Sequence, residues 1–484
     1  MNDKSIRFFL GHLLWIEAAF MVPALLISVF HGEWAAVGAF LMTMALMAVL
    51  MPLLFFRTKG ERKIYARDGI VIVSLSWIAL SLFGALPFVF SGGIPSFMDA
   101  WFETVSGFTT TGATILSDVE ALPVGLLYWR SFTHWLGGMG VLVFMLIVVP
   151  GGGRGNGDML HILRAESPGP VVGKLAPKLR QSAGILYVIY FGLTVLEIVM
   201  LLLGGMPVFD AVTTAFGTAG TGGFAIKNAS IAFYDSYYLQ TVIAVFMMLF
   251  GVNFSIYNLL LLKQFRDVAK NEELRVYFGV MAGATILITL NILPLYGNIR
   301  DALHHSYFQV SSVMTTTGFC TADFNLWPEF SRMLLVLLMV MGASAGSTGG
   351  GVKVARIVIL FKGLKNAIQK VIHPRAVRVV KMDGVQVEDG VIRSTSSYMT
   401  AYWLIVGVSM LLVSLDNFSL ETSLSAVFAC LNNIGPGLDV VGPVGNYSSF
   451  SALSKFVLSL TMLLGRLEIF PVLMLFVPQT WKEK

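Results

Sequence analysis

Ten stretches of about 17–25 apolar residues leave this 484-residue chain few folds to adopt, because an α-helix of that length crosses a lipid bilayer. The stretches lie near residues 10–30, 36–56, 70–90, 128–149, 183–204, 238–262, 276–295, 331–361, 398–415 and 451–477. Charged residues make up only 13% of the chain, against roughly 25% in soluble domains. The pattern predicts an all-α integral membrane protein that keeps its first apolar stretch as a helix.

The connections between these predicted helices are alternately rich and poor in lysine and arginine. They are concentrated in segments 57–67, 154–180, 263–275 and 362–393, and are sparse or absent in segments 91–127, 205–237, 297–330 and 416–450. Because basic loops stay on the cytoplasmic side, the basic segments and both termini are predicted to be cytoplasmic. The net charge of +5 therefore reflects membrane topology, and nucleic acid is not an expected partner.

The segments that are poor in lysine and arginine are too apolar, and too rich in glycine and threonine, for ordinary loops. Aligned by a glycine, they read DAWFETVSGFTTTGAT (99–114), DAVTTAFGTAGTGGFA (210–225), HSYFQVSSVMTTTGFC (305–320) and TSLSAVFACLNNIGPG (422–437). In each segment, about ten residues that could form a short helix precede a small turn that contains glycine. The sequence predicts a unit of helix, short helix, turn and helix that occurs four times after an N-terminal helix pair.

Four such turns inside a membrane have a chemical use. Irregular backbone survives in the hydrocarbon layer only where protein buries it or a watery cavity solvates it. Glycine at positive φ and threonine hydroxyls together can form a ring of oxygens that replaces the hydration shell of a cation. Short helices whose C-terminal ends point inward add negative potential. The pattern predicts a cation-selective pore, and the alternative is close packing of helices through small residues.

Five motifs carry a resemblance to a known family. They are TTTGAT (109–114), TTTGFCT (315–321), AGSTGGGVKVARI (345–357), NNIGPGL (432–438) and LLGRLEIFP (463–471). With the extra N-terminal helix pair, they resemble the Trk, Ktr and HKT superfamily of cation transporters, and above all its TrkH/TrkG branch. The resemblance implies potassium uptake across the bacterial cytoplasmic (inner) membrane, through four M1–P-loop–M2 repeats in pseudo-fourfold arrangement around a pore.

The resemblance also divides the chain and assigns a filter. It implies a helix pair in residues 1–60 and pore repeats in residues 61–160, 161–270, 271–395 and 396–484, the third with a gating loop and a cytoplasmic linker. The implied potassium-binding filter residues are Thr110, Thr111, Gly112, Gly222, Gly223, Thr316, Thr317, Gly318, Asn433, Ile434 and Gly435. Gly220 and Gly222 are rivals of Gly223 for the filter position. We prefer Gly223 because the phenylalanine that follows it parallels Gly318-Phe319.

Glycine at all four filter positions favours potassium as the transported ion. In HKT-like relatives, a serine at the first position goes with sodium transport, whereas this chain has Gly112 there. The alternatives that stay open are a sodium-conducting or Ktr-type member of the same superfamily, and a secondary transporter whose broken helices form inverted repeats. An enzyme is not expected, because the chain has no P-loop, GxSxG or HExxH motif.

Residues 342–351 read GASAGSTGGG inside an apolar stretch, and each glycine costs roughly 1 kcal/mol of helix propensity. The helix is therefore predicted to break here, although close packing through small residues would give the same pattern. The resemblance implies an intramembrane loop that gates the pore, and the implied gate residues are Gly346, Gly349, Gly350, Gly351, Lys353 and Arg466. Lys353 would tether this loop or repel cations.

Arg466 lies deep in the last apolar stretch, where an arginine costs roughly 2.5 kcal/mol or more unless its surroundings are polar. The resemblance places it in the ion path below the filter. The alternative is an internal ion pair, for which Glu468 is a poor partner because residues two apart do not share a helix face. Arg130 and His134, in the span after the first turn, are expected to have structural roles such as hydrogen-bonding that turn.

The expected partners are the potassium ion, the lipid bilayer, a second copy of the chain in a homodimer, and a TrkA-type nucleotide-binding regulatory subunit. The last two follow from the resemblance alone. The basic stretch near residues 362–397 would receive that subunit, or would bind lipid headgroups. No cofactor is expected in this chain, and no metal other than potassium at the filter, because its cysteines, histidines and carboxylates show no metal-ligand spacing.

Overall fold

The computed structural model describes residues 3–55, 65–140, 179–374 and 379–482. Most of the basic segments 57–67 and 154–180 and the second half of the predicted span 128–149 lie outside these residues. Helices α1 (Asp3–Phe30) and α2 (Trp34–Phe55) form the N-terminal pair. Helix α1 also packs against two helices of the next unit, α3 (Ala66–Phe90) and α5 (Val124–Gly138).

The described chain then repeats one order of elements, a long helix, a short helix and one or more further helices. The first unit has α4 (Phe97–Phe108) between α3 and α5; the second has α6 (Leu179–Leu203), α7 (Val208–Gly220), α8 (Tyr237–Phe250), α9 (Phe254–Leu261) and α10 (Phe265–Lys270). The third has α11 (Glu272–Tyr296), α12 (Ile299–Met314), α13 (Glu329–Met341) and α14 (Val354–Ile372). The fourth has α15 (Asp389–Val413), α16 (Leu420–Leu431), α17 (Ala452–Arg466) and α18 (Phe470–Leu475).

Short polar side chains cap the start of three of the four short helices, and α7 begins after Pro207 without such a cap. The hydroxyls of Ser96 and Ser419 accept the backbone N–H of Asp99 and Thr422, and the Asn298 side chain does the same for Arg300. These residue types satisfy the N–H groups that a first helical turn leaves unpaired. Single 3₁₀ turns lie in the connections, at Ser230–Phe233, Phe324–Leu326, Ser414–Asp416, Asp439–Val441 and Pro478–Thr480.

Six described helices are long and apolar enough to span a membrane, namely α1, α2, α3, α6, α11 and α15. Each matches one of the ten predicted spans. The predicted spans 238–262 and 451–477 are wrong as continuous helices, whereas span 331–361 is interrupted at its predicted break. Helices α8 and α9 meet at an angle of 91°, residues 342–353 separate α13 from α14, and α17 ends at Arg466 before two residues at positive φ, Glu468 and Ile469. An apolar run identifies a segment that lies in the membrane. A break in the backbone inside that run divides the helix or ends it early.

A small β-hairpin is the one described departure from the predicted all-α fold. Strands β1 (Lys381–Met382) and β2 (Val385–Gln386) pair antiparallel, and Asp383 and Gly384 form the turn with φ of 52° and 80°. Positive φ at both central residues is the hairpin turn that an Asp-Gly pair favours. Asp383 also accepts the backbone N–H of Glu272 at 2.7 Å, so the hairpin caps the start of α11.

Candidate functional site

Four turns follow the four short helices, and we number them in chain order. Turn 1 comprises residues 109–112, turn 2 residues 220–223, turn 3 residues 315–318 and turn 4 residues 432–435. Two backbone hydrogen bonds recur in each, such as Thr110 N–H to Gly107 O and Thr111 N–H to Ser106 O in turn 1. This is the Schellman pattern, which satisfies the last carbonyls of a helix. The four short helices therefore end in the same way.

The turns also share an unusual backbone conformation. The second residue of each lies at positive φ, as Thr110 (55°), Thr221 (54°), Thr316 (60°) and Asn433 (55°). The fourth residue does so too, as Gly112 (79°), Gly223 (74°), Gly318 (84°) and Gly435 (95°). A threonine at positive φ is a backbone outlier that costs on the order of 1–3 kcal/mol and persists only where the surroundings enforce it. Such strain, repeated in three of four turns, marks a candidate functional site.

The four glycines bring the turns into contact in a closed cycle. A Cβ on Gly112 would lie under 3.0 Å from the carbonyl oxygen of Gly222, and one on Gly223 equally close to that of Thr317. A Cβ on Gly318 would meet the carbonyl oxygen of Ile434, and one on Gly435 that of Thr111. In every case the oxygen belongs to the residue just before the next turn's glycine. The turns thus form a ring in chain order, and only glycine leaves room for its backbone contacts.

Side chains connect turn 4 to turn 1, where the ring closes. Asn433 Nδ2 donates to Thr111 Oγ1 at 2.9 Å and to the Met462 carbonyl at 3.0 Å. Tyr447, which lies beyond turn 4, donates its hydroxyl to the Gly435 carbonyl at 2.8 Å, and its backbone N–H to the Thr114 carbonyl at 2.8 Å. These bonds join segments from opposite ends of the chain and hold the ring closed.

The glycine-rich loop between α13 and α14 (342–353) lies against the first half of turns 3 and 4. Gly350 N–H donates to Thr316 Oγ1 at 2.6 Å, and a Cβ on Gly350 would lie under 3.0 Å from the Asn432 carbonyl. A Cβ on Gly349 would lie 2.8 Å from the Thr315 carbonyl. The predicted break is therefore present, and glycine permits the loop to approach the ring at backbone distance.

The same loop pairs with the break between α8 and α9. Ser344 N–H donates to the Gly251 carbonyl at 3.1 Å, and Phe254 N–H donates to the Gly346 carbonyl at 3.0 Å. The carboxylate of Glu273 accepts the backbone N–H of Ala345 at 2.6 Å. Unpaired backbone N–H and C=O groups are costly in a membrane. The loop and the break between α8 and α9 supply hydrogen-bond partners for each other's backbone groups.

Arg466, at the end of α17, joins this loop to the opposite side of the ring. Its Nη1 donates to the Thr348 carbonyl at 2.8 Å and to Thr110 Oγ1 at 3.3 Å. Its Nη2 donates to the carbonyls of Gly137 and Gly138 at the end of α5. These four acceptors are neutral carbonyl and hydroxyl oxygens.

The other charged residues near the loop have their own partners. Lys353, with a side chain that is buried, donates its ammonium to the Gly349 carbonyl within the loop. Glu468 forms an ion pair with Arg356 of α14, whose guanidinium lies 4.0 Å from the ring centre of Tyr398. Glu468, which the helix spacing makes a poor partner for Arg466, thus has a partner in Arg356.

A second polar cluster lies beside turns 1 and 2. Arg130 forms a buried ion pair with Glu103 at 2.7 Å, and His134 hydrogen-bonds both Gly107 of α4 and Phe224 just after turn 2. Arg130 and His134 therefore have structural contacts, as expected, but their partners lie beside turns 1 and 2 and not within turn 1. Glu103 lies inside the protein, although it belongs to segment 91–127, which has no lysine or arginine to pair with it.

The sequence model of the TrkH family, described as "Cation transport protein", matches residues 37–483 of the chain. The chain belongs to the TrkH family. The Trk system potassium uptake protein TrkH of Salmonella typhimurium is 35% identical over 494 residues, and the alignment covers 100% of both chains. Trk system potassium uptake protein TrkG of Escherichia coli K12 is 32% identical over 492 residues with the same coverage. The predicted resemblance is confirmed.

A solved structure agrees with this assignment. The crystal structure of the potassium transporter TrkH from Vibrio parahaemolyticus superposes on this TrkH-family protein with a TM-score of 0.87, at 33% identity and over 100% of each chain. The match covers the N-terminal helix pair together with all the helices that follow it.

In this TrkH-family protein, every residue expected in the filter lies in turns 1–4, and those expected in the gate lie in or beside the loop 342–353. Gly223 has a positive φ and approaches the next turn, as Gly112, Gly318 and Gly435 do. Gly220 and Gly222 have neither feature. Sequence reasoning missed Glu103 as a partner of Arg130. The available signal was a glutamate in the middle of a predicted short helix, between Phe102 and Val105.

Proposed function

We propose that this chain carries potassium ions across the bacterial cytoplasmic membrane through a pore whose selectivity filter is the ring of turns 1–4. The observation that carries the proposal is the closed cycle of backbone contacts among the four glycines. Backbone and threonine oxygens gathered in one ring are the ligands that replace the hydration shell of a potassium ion. The names of the relatives, which are potassium uptake proteins, point to the same ion.

The order of the contacts favours a pore over a transporter built from inverted repeats. Each glycine approaches the turn that comes next in the chain, and the fourth approaches the first. Rotation about one axis produces such a cycle, so the proposal assigns pseudo-fourfold repeats to residues 61–160, 161–270, 271–395 and 396–484. In each repeat the short helix ends at its turn, which adds the negative potential of a helix C-terminus to the cation site.

The proposal includes a gate formed by loop 342–353 and Arg466. Support comes from the contacts of Gly350 with Thr316 and of Arg466 with Thr348, which place the loop and a positive charge against one face of the ring. An ion leaving the filter on that face would meet both. A displaced loop would lose its hydrogen bonds to the break between α8 and α9.

We further propose that a cytoplasmic partner of the TrkA type, acting on a homodimer, moves this loop through the β-hairpin. Ala345 of the loop packs in one apolar cluster with Val380, Met382 and Val387 of the hairpin region. The positive-inside pattern puts the hairpin on the cytoplasmic side, within the basic segment 362–393. A force on the hairpin would therefore reach the loop through packed side chains.

Ion flux into liposomes that contain only the purified chain tests the proposed function. We expect potassium uptake, driven by an imposed membrane potential, to exceed sodium uptake by roughly tenfold or more, since 1.4 kcal/mol of preference suffices for that ratio. Arg466→Ala serves as a second sample in which the gate is weakened. Equal sodium and potassium uptake would refute the potassium filter, and no cation uptake in either sample would refute the pore.

Lys353→Met tests the proposed loop gate. The substitution removes a buried ammonium and its bond to the Gly349 carbonyl, and a hydrogen bond to a charged group is worth about 1.5–3 kcal/mol. We expect potassium flux to rise about tenfold, because the loop is displaced more often. The control is Lys365→Met, which removes an exposed lysine of α14, the helix that follows the loop. Unchanged or lower flux in a correctly folded Lys353→Met protein would contradict the gate.

A further inference from the structure

A buried polar cluster, Glu103 on α4 with Arg130 and His134 on α5, lies between turns 1 and 2. The side chains of Arg130 and Glu103 are 3% and 0% exposed, and His134 is fully buried. Ionised side chains are rarely buried without a reason that outweighs the cost of desolvation. The contacts of the cluster indicate that reason.

Glu103 holds the segment that follows turn 1. Its Oε1 accepts the Arg130 Nε–H at 2.7 Å and the Thr114 hydroxyl at 2.9 Å. Its Oε2 accepts the backbone N–H of Ile115 at 2.9 Å. One carboxylate thus binds Arg130 and the two residues that lie second and third after Gly112.

Arg130 and His134 hold the segment that follows turn 2. Arg130 Nη1 donates to the Ala225 carbonyl at 2.9 Å, and its guanidinium lies 3.5 Å from the ring centre of Phe224. His134 contacts the Gly107 carbonyl through Nδ1 at 2.8 Å and the Phe224 N–H through Nε2 at 3.2 Å. Because a carbonyl only accepts and an amide N–H only donates, the ring is neutral with its proton on Nδ1.

The other three repeats lack this cluster, although they contain the same helices. Arg130 is the seventh residue of its helix, and the seventh residues of α8, α13 and α17 are Ile243, Leu335 and Leu458. Four residues further along, His134 is matched by Met247, Met339 and Met462. At the distance that separates Glu103 from Gly112, the other repeats have Thr214, Gln309 and Ala426. Buried apolar residues therefore fit the positions of Arg130 and His134, and among the described residues at these positions only those of repeat 1 form an ion pair.

Stability by itself does not explain the ion pair. Replacing a buried ion pair with apolar residues of similar volume is often neutral or stabilising, so a selective advantage has to lie elsewhere. What the cluster adds is a fixed connection between two backbone segments, one after Gly112 and one after Gly223. Each segment directly follows one of the turns that form the ring.

We propose that Glu103, Arg130 and His134 are positioning residues that fix the spacing of turns 1 and 2 and thereby set the preference for potassium over sodium. The inference rests on the proposed function of the ring as a potassium filter. A ring that tightens around a smaller ion accepts sodium, and bonds that hold two neighbouring turns apart oppose that tightening. The buried ion pair thus supports the filter beside turns 1 and 2, and buried apolar residues occupy the corresponding helix positions in the other repeats.

Substitutions taken from the other repeats test this inference. Glu103→Ala with Arg130→Leu gives repeat 1 the residues that repeat 4 has at these positions, Ala426 and Leu458, and leaves no unpaired buried charge. His134→Met gives repeat 1 the methionine of the other three and keeps the ion pair. Thr214→Ala, at the position of Glu103 in repeat 2, is the matched control.

The test measures potassium and sodium flux into liposomes for each variant, and the temperature at which each variant unfolds. We expect the ratio of potassium to sodium flux to fall roughly tenfold in the double variant and severalfold in His134→Met, with wild-type unfolding temperature. The Thr214→Ala ratio stays at the wild-type value. A purely structural role would lower both fluxes together and leave the ratio unchanged.

An unchanged ratio in both the double variant and His134→Met would overturn the inference. That outcome differs from a failure of the proposed function, in which the wild-type chain itself shows no preference for potassium. Because His134→Met retains the buried ion pair, it still decides the question if the double variant fails to insert or unfolds early.

Discussion

Replacing Gly318 with serine is expected to lower potassium flux about a hundredfold and to abolish the preference for potassium, an effect of about 2.7 kcal/mol. Two causes act together. The residue has a φ of 84°, which a serine adopts only under strain, and the new Cβ would lie under 3.0 Å from the carbonyl of Ile434 and 2.8 Å from Pro436 Cδ. Since the obstacle is backbone of turn 4, the ring has to widen on that side.

Gly92→Ser is the matched control for Gly318→Ser. Gly92 also lies at positive φ, 76°, but apart from its chain neighbours no atom of the described residues lies within 4 Å of the position its Cβ would take. A serine there carries the same backbone strain without disturbing any contact between turns. We expect nearly wild-type flux and selectivity. Comparable losses in both variants would mean that strain alone explains the effect, and undisturbed selectivity in Gly318→Ser would contradict the filter.

Arg466→Ala is expected to raise potassium flux by roughly tenfold or more. A unit charge about 10 Å from an ion repels it by about 1.7 kcal/mol at an effective dielectric constant of about 20. The side chain also ties the loop to α5, through the Thr348 and Gly138 carbonyls at 2.8 and 2.7 Å. Its removal therefore lowers the electrostatic barrier and loosens the loop. Flux into liposomes, normalised to the amount of inserted protein, measures the change.

Arg466→Gln separates these two causes. Glutamine removes the charge but keeps an amide that can donate to the same carbonyls. If charge dominates, Arg466→Gln should conduct nearly as well as Arg466→Ala, whereas a dominant tether would leave it close to wild type. Arg332→Gln is the control, because Arg332 pairs with Glu329 and Glu421 away from the loop. Flux in Arg466→Ala at or below the wild-type value would contradict the position of this residue in the ion path.

The membrane class, the order of elements and the glycines of the turns could be read from the sequence. The thickness of a bilayer sets the length of an apolar stretch that spans it. The positions of the four short helices follow from the repeated distance between each short helix and the glycine of its turn. The break at residues 342–351 was also predictable, because five glycines in ten residues strongly destabilise a continuous helix. These are local properties, in which each residue's own conformational preference decides the outcome.

Other helix breaks were not predictable. The apolar run 451–477 continues through Glu468 and Ile469, yet both residues lie at positive φ and end the helix. Ile469 in particular is a poor residue for that conformation. Its backbone is held by the surrounding fold, since Ile469 N–H donates to the Leu464 carbonyl at 2.7 Å and the side chain is fully buried. Tertiary packing here overrides local preference.

By itself, the sequence determined that this is a membrane protein with four glycine-containing turns, and that Glu468 is a poor partner for Arg466. Only the tertiary structure decided that the turns contact one another in a closed cycle, that Arg466 binds carbonyls of the loop and α5, and that Glu103 pairs with Arg130. The physical reason is distance along the chain. Asn433 and Thr111 lie far apart in sequence, and no local pattern specifies which distant backbone oxygen a buried side chain will reach.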